Sequence, residues 1–79
     1  MTNREKYVEV FCKVFSIDEE TANGLSYQGI DTWDSVGHME LIAELENKFS
    51  IMMDADDIIE LSSFEKGMDI LTQNYSIEF

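Results

Sequence analysis

Ser35 and its neighbours are the residues whose types and spacing could do chemistry. The stretch reads Trp33-Asp34-Ser35-Val36-Gly37-His38-Met39-Glu40-Leu41-Ile42. A serine that opens a helix after a long loop presents its hydroxyl at the surface, within reach of a modifying enzyme. A phosphodiester formed there would lie where free N–H groups and the helix dipole favour negative charge. The plainer role of such a serine is helix capping, for which Asp34 is equally suited. Asp34 could also orient a modifying enzyme's metal or its basic site. His38, the only histidine, stands three residues on and so neighbours Ser35 on a helix surface. That spacing would allow a serine nucleophile with a histidine base. No glycine-rich elbow or oxyanion motif accompanies the pair, and an exposed helix residue accounts for His38. Asp54, Asp56 and Asp57 resemble metal ligands, yet the central glycine and terminal glutamate of an EF-hand loop are missing. Cys12, the single cysteine, reads as a small residue at the edge of a helix stripe.

The elements that must position Ser35 follow from hydrophobic periodicity. Thr2 and Glu5 have capping-box spacing. Tyr7, Phe11 and Val14 then recur at helical intervals, widened by Val8, Val10 and Phe15, and predict a helix to about Phe15. Periodicity disappears between Ser16 and Asp34, where Asn23-Gly24 and Gln28-Gly29 signal turns. So long a loop is expected to be functional or packed by its own side chains. Ile17, Leu25, Tyr27, Ile30 and Trp33 are its candidate anchors, and Asp18, Glu19 and Glu20 could open a short helical turn. A second helix starts at Asp34 or Ser35 and reaches about Phe49. Val36, Met39, Ile42, Leu45 and Phe49 are expected on its buried face, with Leu41 at the edge and Glu40, Glu44 and Asn47 opposite. Asp54 to Leu61 reads as one or two helical turns. A last helix begins near Ser62 or Ser63, where Ser62 and Glu65 repeat the capping-box spacing, and it carries Phe64, Met68, Leu71 and Tyr75 on one stripe. The tail from Ser76 to Phe79 is expected to fray. No strand alternation, internal repeat or low-complexity stretch occurs. The expected fold is all-α, a small four-helix bundle of three longer helices and a short third one, in one domain over residues 1–79.

Size and charge limit what such a bundle can do. A domain of 79 residues buries only about 60% of its unfolded surface and leaves little interior for a deep active site. With 44% hydrophobic residues, the chain has the composition of a folded domain rather than a disordered tail. The net charge of −12 opposes nucleic acids and anionic membrane surfaces and favours basic partners. The acid is concentrated: net −2 over residues 1–30, −8 over 31–60 and −2 over 61–79. Clustered charge of this kind speeds encounter and excludes wrong partners. One thiol cannot staple a fold, the first seven residues are polar, and no apolar run nears the ~20 residues of a membrane span. A cytoplasmic monomer is the expectation.

The serine-centred stretch resembles the acyl carrier protein family, including its peptidyl and D-alanyl carrier types. The family's signature is an aspartate–serine pair, an apolar residue, and a glutamate–leucine further along the helix. Asp34, Ser35, Val36, Glu40 and Leu41 match in type and spacing. The helix layout, the length and the acidity agree over nearly the whole chain, and Phe49-Ser50-Ile51 followed by Asp54 resembles the family's junction between second and third helices. Gly37 departs from the fatty-acid type, which often has an acid there, and Trp33 replaces a smaller or different residue. These departures speak against a housekeeping fatty-acid role more than against a carrier.

The resemblance implies that a phosphopantetheinyl transferase moves 4′-phosphopantetheine from coenzyme A onto Ser35. The arm's thiol would then carry an acyl or aminoacyl group as a thioester, in fatty-acid, polyketide or another specialised biosynthesis. The protein would be a carrier and not an enzyme. A loading ligase and downstream synthases or transferases would dock through basic patches against Val36, Glu40, Glu44 and Asp57. Met39, Leu41, Ile42, Leu45, Ile58 and Leu71 would line a cargo pocket, unless they are simply core. An unmodified acidic adaptor of the same fold is the alternative.

Overall fold

A computed structural model describes all 79 residues, and its regular elements are all helices. Five helices follow in order: α1 (Asn3–Phe15), α2 (Glu19–Ala22), α3 (Ser35–Phe49), α4 (Ala55–Glu60) and α5 (Phe64–Tyr75). The four expected helices are present. The turn suspected at Asp18 to Glu20 is the fifth, α2, with Asp18 as its cap.

Local chemistry sets the helix ends. The Thr2 hydroxyl accepts from the Glu5 N–H at 3.1 Å, and the Glu5 carboxylate accepts from the Thr2 N–H at 2.9 Å. These bonds hold the Glu5 carboxyl below its ordinary pKa. At α5 the cap is Ser63, whose hydroxyl accepts from the Lys66 N–H; the expected Ser62–Glu65 box does not form. The three long helices stop in one way. Ser16, Ser50 and Ser76 each adopt the left-handed conformation, with φ between 53° and 58°. At each stop the serine and the following isoleucine donate their N–H groups to a single carbonyl, of Cys12, Glu46 and Leu71 respectively. The reversal satisfies orphan carbonyls and turns Ile17, Ile51 and Ile77 back onto the core.

The core is one cluster of 17 buried residues with an aromatic centre. The Phe11 ring meets Tyr7, Phe15, Trp33 and Phe64 at centroid distances of 5.0 to 5.9 Å. Tyr7 lies buried and donates its hydroxyl to the Phe64 carbonyl at 2.7 Å; burial, with Asp69 adding to it, pushes its phenol pKa far upward. Gly67 makes room for that hydroxyl, with which a Cβ would collide. The tail does not fray as expected. Ile77 is buried, the Phe79 ring packs on Tyr7 and Phe49, and the Glu78 carbonyl accepts from Asn3.

The long loop is fixed at both ends. Leu25 and Trp33 are buried, Ile17 and Ile30 half-buried, while Tyr27 is 39% exposed. An isolated antiparallel bridge pairs Ser26 with Ser63: the Tyr27 N–H donates to the Ser62 carbonyl and the Phe64 N–H to the Leu25 carbonyl, both at 2.8 Å. The loop is thereby tied to the α4–α5 junction.

Candidate functional site

The start of α3 is built by its neighbours. Asp34 is the N-cap, its carboxylate accepting from the Gly37 N–H at 2.8 Å. Ser35 is therefore the first helical residue rather than the cap. It is exposed, and its hydroxyl bonds to nothing in the chain. Each of the other four helices carries an acid in its first turn; α3 carries none. In a chain with 17 acids, that leaves the positive end of the α3 dipole facing no first-turn carboxylate except the cap.

Gly37 gives the sequence departure a structural cause. It is buried, and a Cβ there would collide with the Thr32 carbonyl oxygen. The loop thus lies directly on the helix backbone, which brings Trp33 and Asp34 against the first turn. Of the expected face Ile42 and Leu45 are buried, Leu41 moves in from the edge to join Gly37, and Val36 and Met39 stay outside. Val36 is 67% exposed and Met39 55%.

His38 is also corrected. It is half-buried, and both ring nitrogens are engaged. The indole N–H of Trp33 donates to His38 Nδ1 at 3.0 Å, and His38 Nε2 lies 2.7 Å from the Ile58 carbonyl oxygen. An indole can only donate, so Nδ1 accepts and the proton sits on Nε2. That leaves no lone pair with which His38 could take a proton from Ser35.

A cleft of about 370 Å³ opens beside Ser35, between the loop, α3 and α4. Tyr27, Ser35, His38, Met39, Ile58, Ile59, Leu61 and Ser62 line it. Of the six residues expected to form a cargo pocket, Met39 and Ile58 reach it. Leu41, Ile42 and Leu45 of α3 and Leu71 of α5 do not: all four are buried in the core cluster. Tyr27, His38, Ile59, Leu61 and Ser62 are lining residues outside the expected set, since no periodicity spans a loop and a six-residue helix.

The expected partner contacts divide similarly. Val36 and Glu40 are exposed. Glu44 is half-buried and 3.3 Å from the Lys13 amine of α1. Asp57 is not a surface group. It is buried, and accepts from Asn74 at 2.9 Å and from the Tyr75 hydroxyl at 2.7 Å. Tyr75 in turn accepts from the Asp54 N–H at 2.8 Å. Burial leads the upward shift of the Tyr75 phenol, and Asp57 adds to it. No three His, Cys, Asp or Glu side chains converge as metal ligands. Cys12 is half-buried, and burial, reinforced by Asp18 and Glu19, raises its thiol pKa and lowers its reactivity. No helix is long and apolar enough to cross a membrane.

Compared with protein-family models, curated proteins and solved structures, the chain matches none.

Proposed function

We propose that the chain is a carrier protein of the acyl carrier type, with Ser35 as the attachment point for 4′-phosphopantetheine. The observation that carries this reading is the Ser35 hydroxyl: exposed, unbonded, and first in a helix already capped by Asp34. In the transfer, Ser35 Oγ would form a bond to the phosphorus that carries the pantetheine of coenzyme A. The pyrophosphate P–O bond breaks, adenosine 3′,5′-bisphosphate departs, and the hydroxyl proton goes to the transferase's base.

The residues present fit such a group. A phosphodiester at Ser35 would lie beside the Ser35 and Val36 N–H groups, which the Asp34 cap leaves free, with Asp34 the one carboxylate at that end of the helix. When bound, the group supplies a thiol on a flexible arm, to which an acyl or aminoacyl cargo is joined as a thioester. The chain's own residues fix the attachment point and offer the cleft beside it. The helix order, a long loop before the serine-headed helix and a short helix after it, supports the same reading. Val36, Met39 and Ile59 present exposed apolar surface close to Ser35, and Glu40, Asp56 and Glu60 are exposed acids on the same two helices. A partner with an apolar centre and an Arg- and Lys-rich rim would suit that surface, and its binding would weaken with salt.

Intact mass is the test. Incubation with coenzyme A and a broad-specificity phosphopantetheinyl transferase should add one phosphopantetheine to the wild type and nothing to Ser35→Ala. No gain with two unrelated transferases would sink the proposal and leave an unmodified acidic adaptor as the better account.

A further inference from the structure

α4 is held to the molecule differently from the other helices around the core. It has six residues, and its N-cap, Asp54, makes no side-chain cap bond. Of its own side chains only Asp57 is buried, while Ile59 is 78% exposed. Ile58 packs half-buried against the core, and two polar clasps add to that contact. At its N-terminal half, Asp57 and the Asp54 N–H bond to Asn74 and Tyr75 of α5. At its C-terminal half, the Ile58 carbonyl meets His38 Nε2 at 2.7 Å. That contact is the only hydrogen bond between α3 and α4. The carbonyl belongs to the last turn of α4, where helix carbonyls lack intrahelical partners.

His38 is itself pinned. The Trp33 indole N–H occupies Nδ1 and so puts the imidazole proton on Nε2, facing Ile58. The two rings lie nearly parallel, 13° apart, and the Tyr27 ring stands edge-on to both. Trp33 is buried in the core. A continuous chain of contacts therefore runs from the core through Trp33 and His38 to the end of α4. Ile58 and Ile59 form one wall of the cleft beside Ser35, and His38 and Met39 form the other.

We infer that His38 is a positioning residue that latches the C-terminal end of α4 and thereby sets the width of the cleft beside Ser35. Trp33 acts through it, by fixing the tautomer that can donate. The latch holds whether or not Ser35 is modified.

Amide hydrogen exchange by NMR, in wild type and two variants, tests it. His38→Phe keeps a flat ring and removes both bonds. His38→Gln restores a donor toward Ile58. In His38→Phe the amides of Ile58 and Leu61 should exchange about three- to tenfold faster, the worth of one hydrogen bond in a local opening, with the α1 amides unchanged. In His38→Gln the Ile58 and Leu61 protection should largely return. Imidazole nitrogen shifts of the wild type supply a readout that needs no variant, and should report the proton on Nε2. Unchanged α4 exchange in His38→Phe, an equal rise in α1, failure of the glutamine to rescue, or a proton on Nδ1 would each overturn the inference.

Discussion

Five side chains of α1 enter the core, Tyr7, Val8, Val10, Phe11 and Phe15, whereas α4 buries only the polar Asp57 and rests Ile58 half-buried against the core. The first helix is held by apolar area and interlocking rings, which are non-directional and hard to undo piecemeal. Beyond the packing of Ile58, the fourth is held by hydrogen bonds to Asp57, to the Asp54 N–H and to the Ile58 carbonyl, each needing its own partner and geometry. The difference explains where function can sit. A wall made of a few directional bonds can shift without unfolding the molecule, and that wall lines the cleft that Ser35 also lines.

The comparison breaks most directly at Phe11. Phe11→Ala removes the ring that four others touch and should cost about 3–5 kcal/mol in urea unfolding, through lost transfer energy and the cavity left behind. If it costs no more than a polar substitution in α4, the contrast between the two regions fails. Asp57→Ala should cost less, about 1–3 kcal/mol, by leaving Asn74 and the Tyr75 hydroxyl without their acceptor. Its sharper signature is local: amide exchange should accelerate across α4 beyond any change in α1, and a uniform loss of protection would contradict the polar-clasp account. Ser35→Ala should have the smallest effect, within about 0.5 kcal/mol by thermal melting, because the hydroxyl makes no bond in the chain. A larger loss would mean that Ser35 serves the helix, and would return it to the capping role that Asp34 now fills.

The helices of the apolar side were legible because each residue's burial follows from its place in a repeating pattern. Tyr7, Phe11 and Phe15 sit where the period puts them, and the Thr2–Glu5 box marks its helix in four letters. The serine stops were missed. Ser16-Ile17, Ser50-Ile51 and Ser76-Ile77 form a recurring dipeptide, but a left-handed serine is not its preferred conformation and declares itself only when the isoleucine has a core to fold back on. That omission is also why the tail was expected to fray.

Around Ser35 the balance reverses. Asp34 and Ser35 stood out through the resemblance of their stretch to a carrier signature, while composition gave the acidity and periodicity the helices. Which of the two is the cap depended on the loop's approach, and that approach depended on the missing side chain of Gly37 beneath the Thr32 carbonyl. With that contact on the Gly37 face, Leu41 is buried rather than at the edge, and Val36 and Met39 lie outside. His38 looked like a surface residue because its partners, Trp33 and the Ile58 carbonyl, lie on other elements. Periodicity reports how one segment meets an average core. Hydrogen bonds between segments, and one backbone lying on another, arise only when particular segments meet.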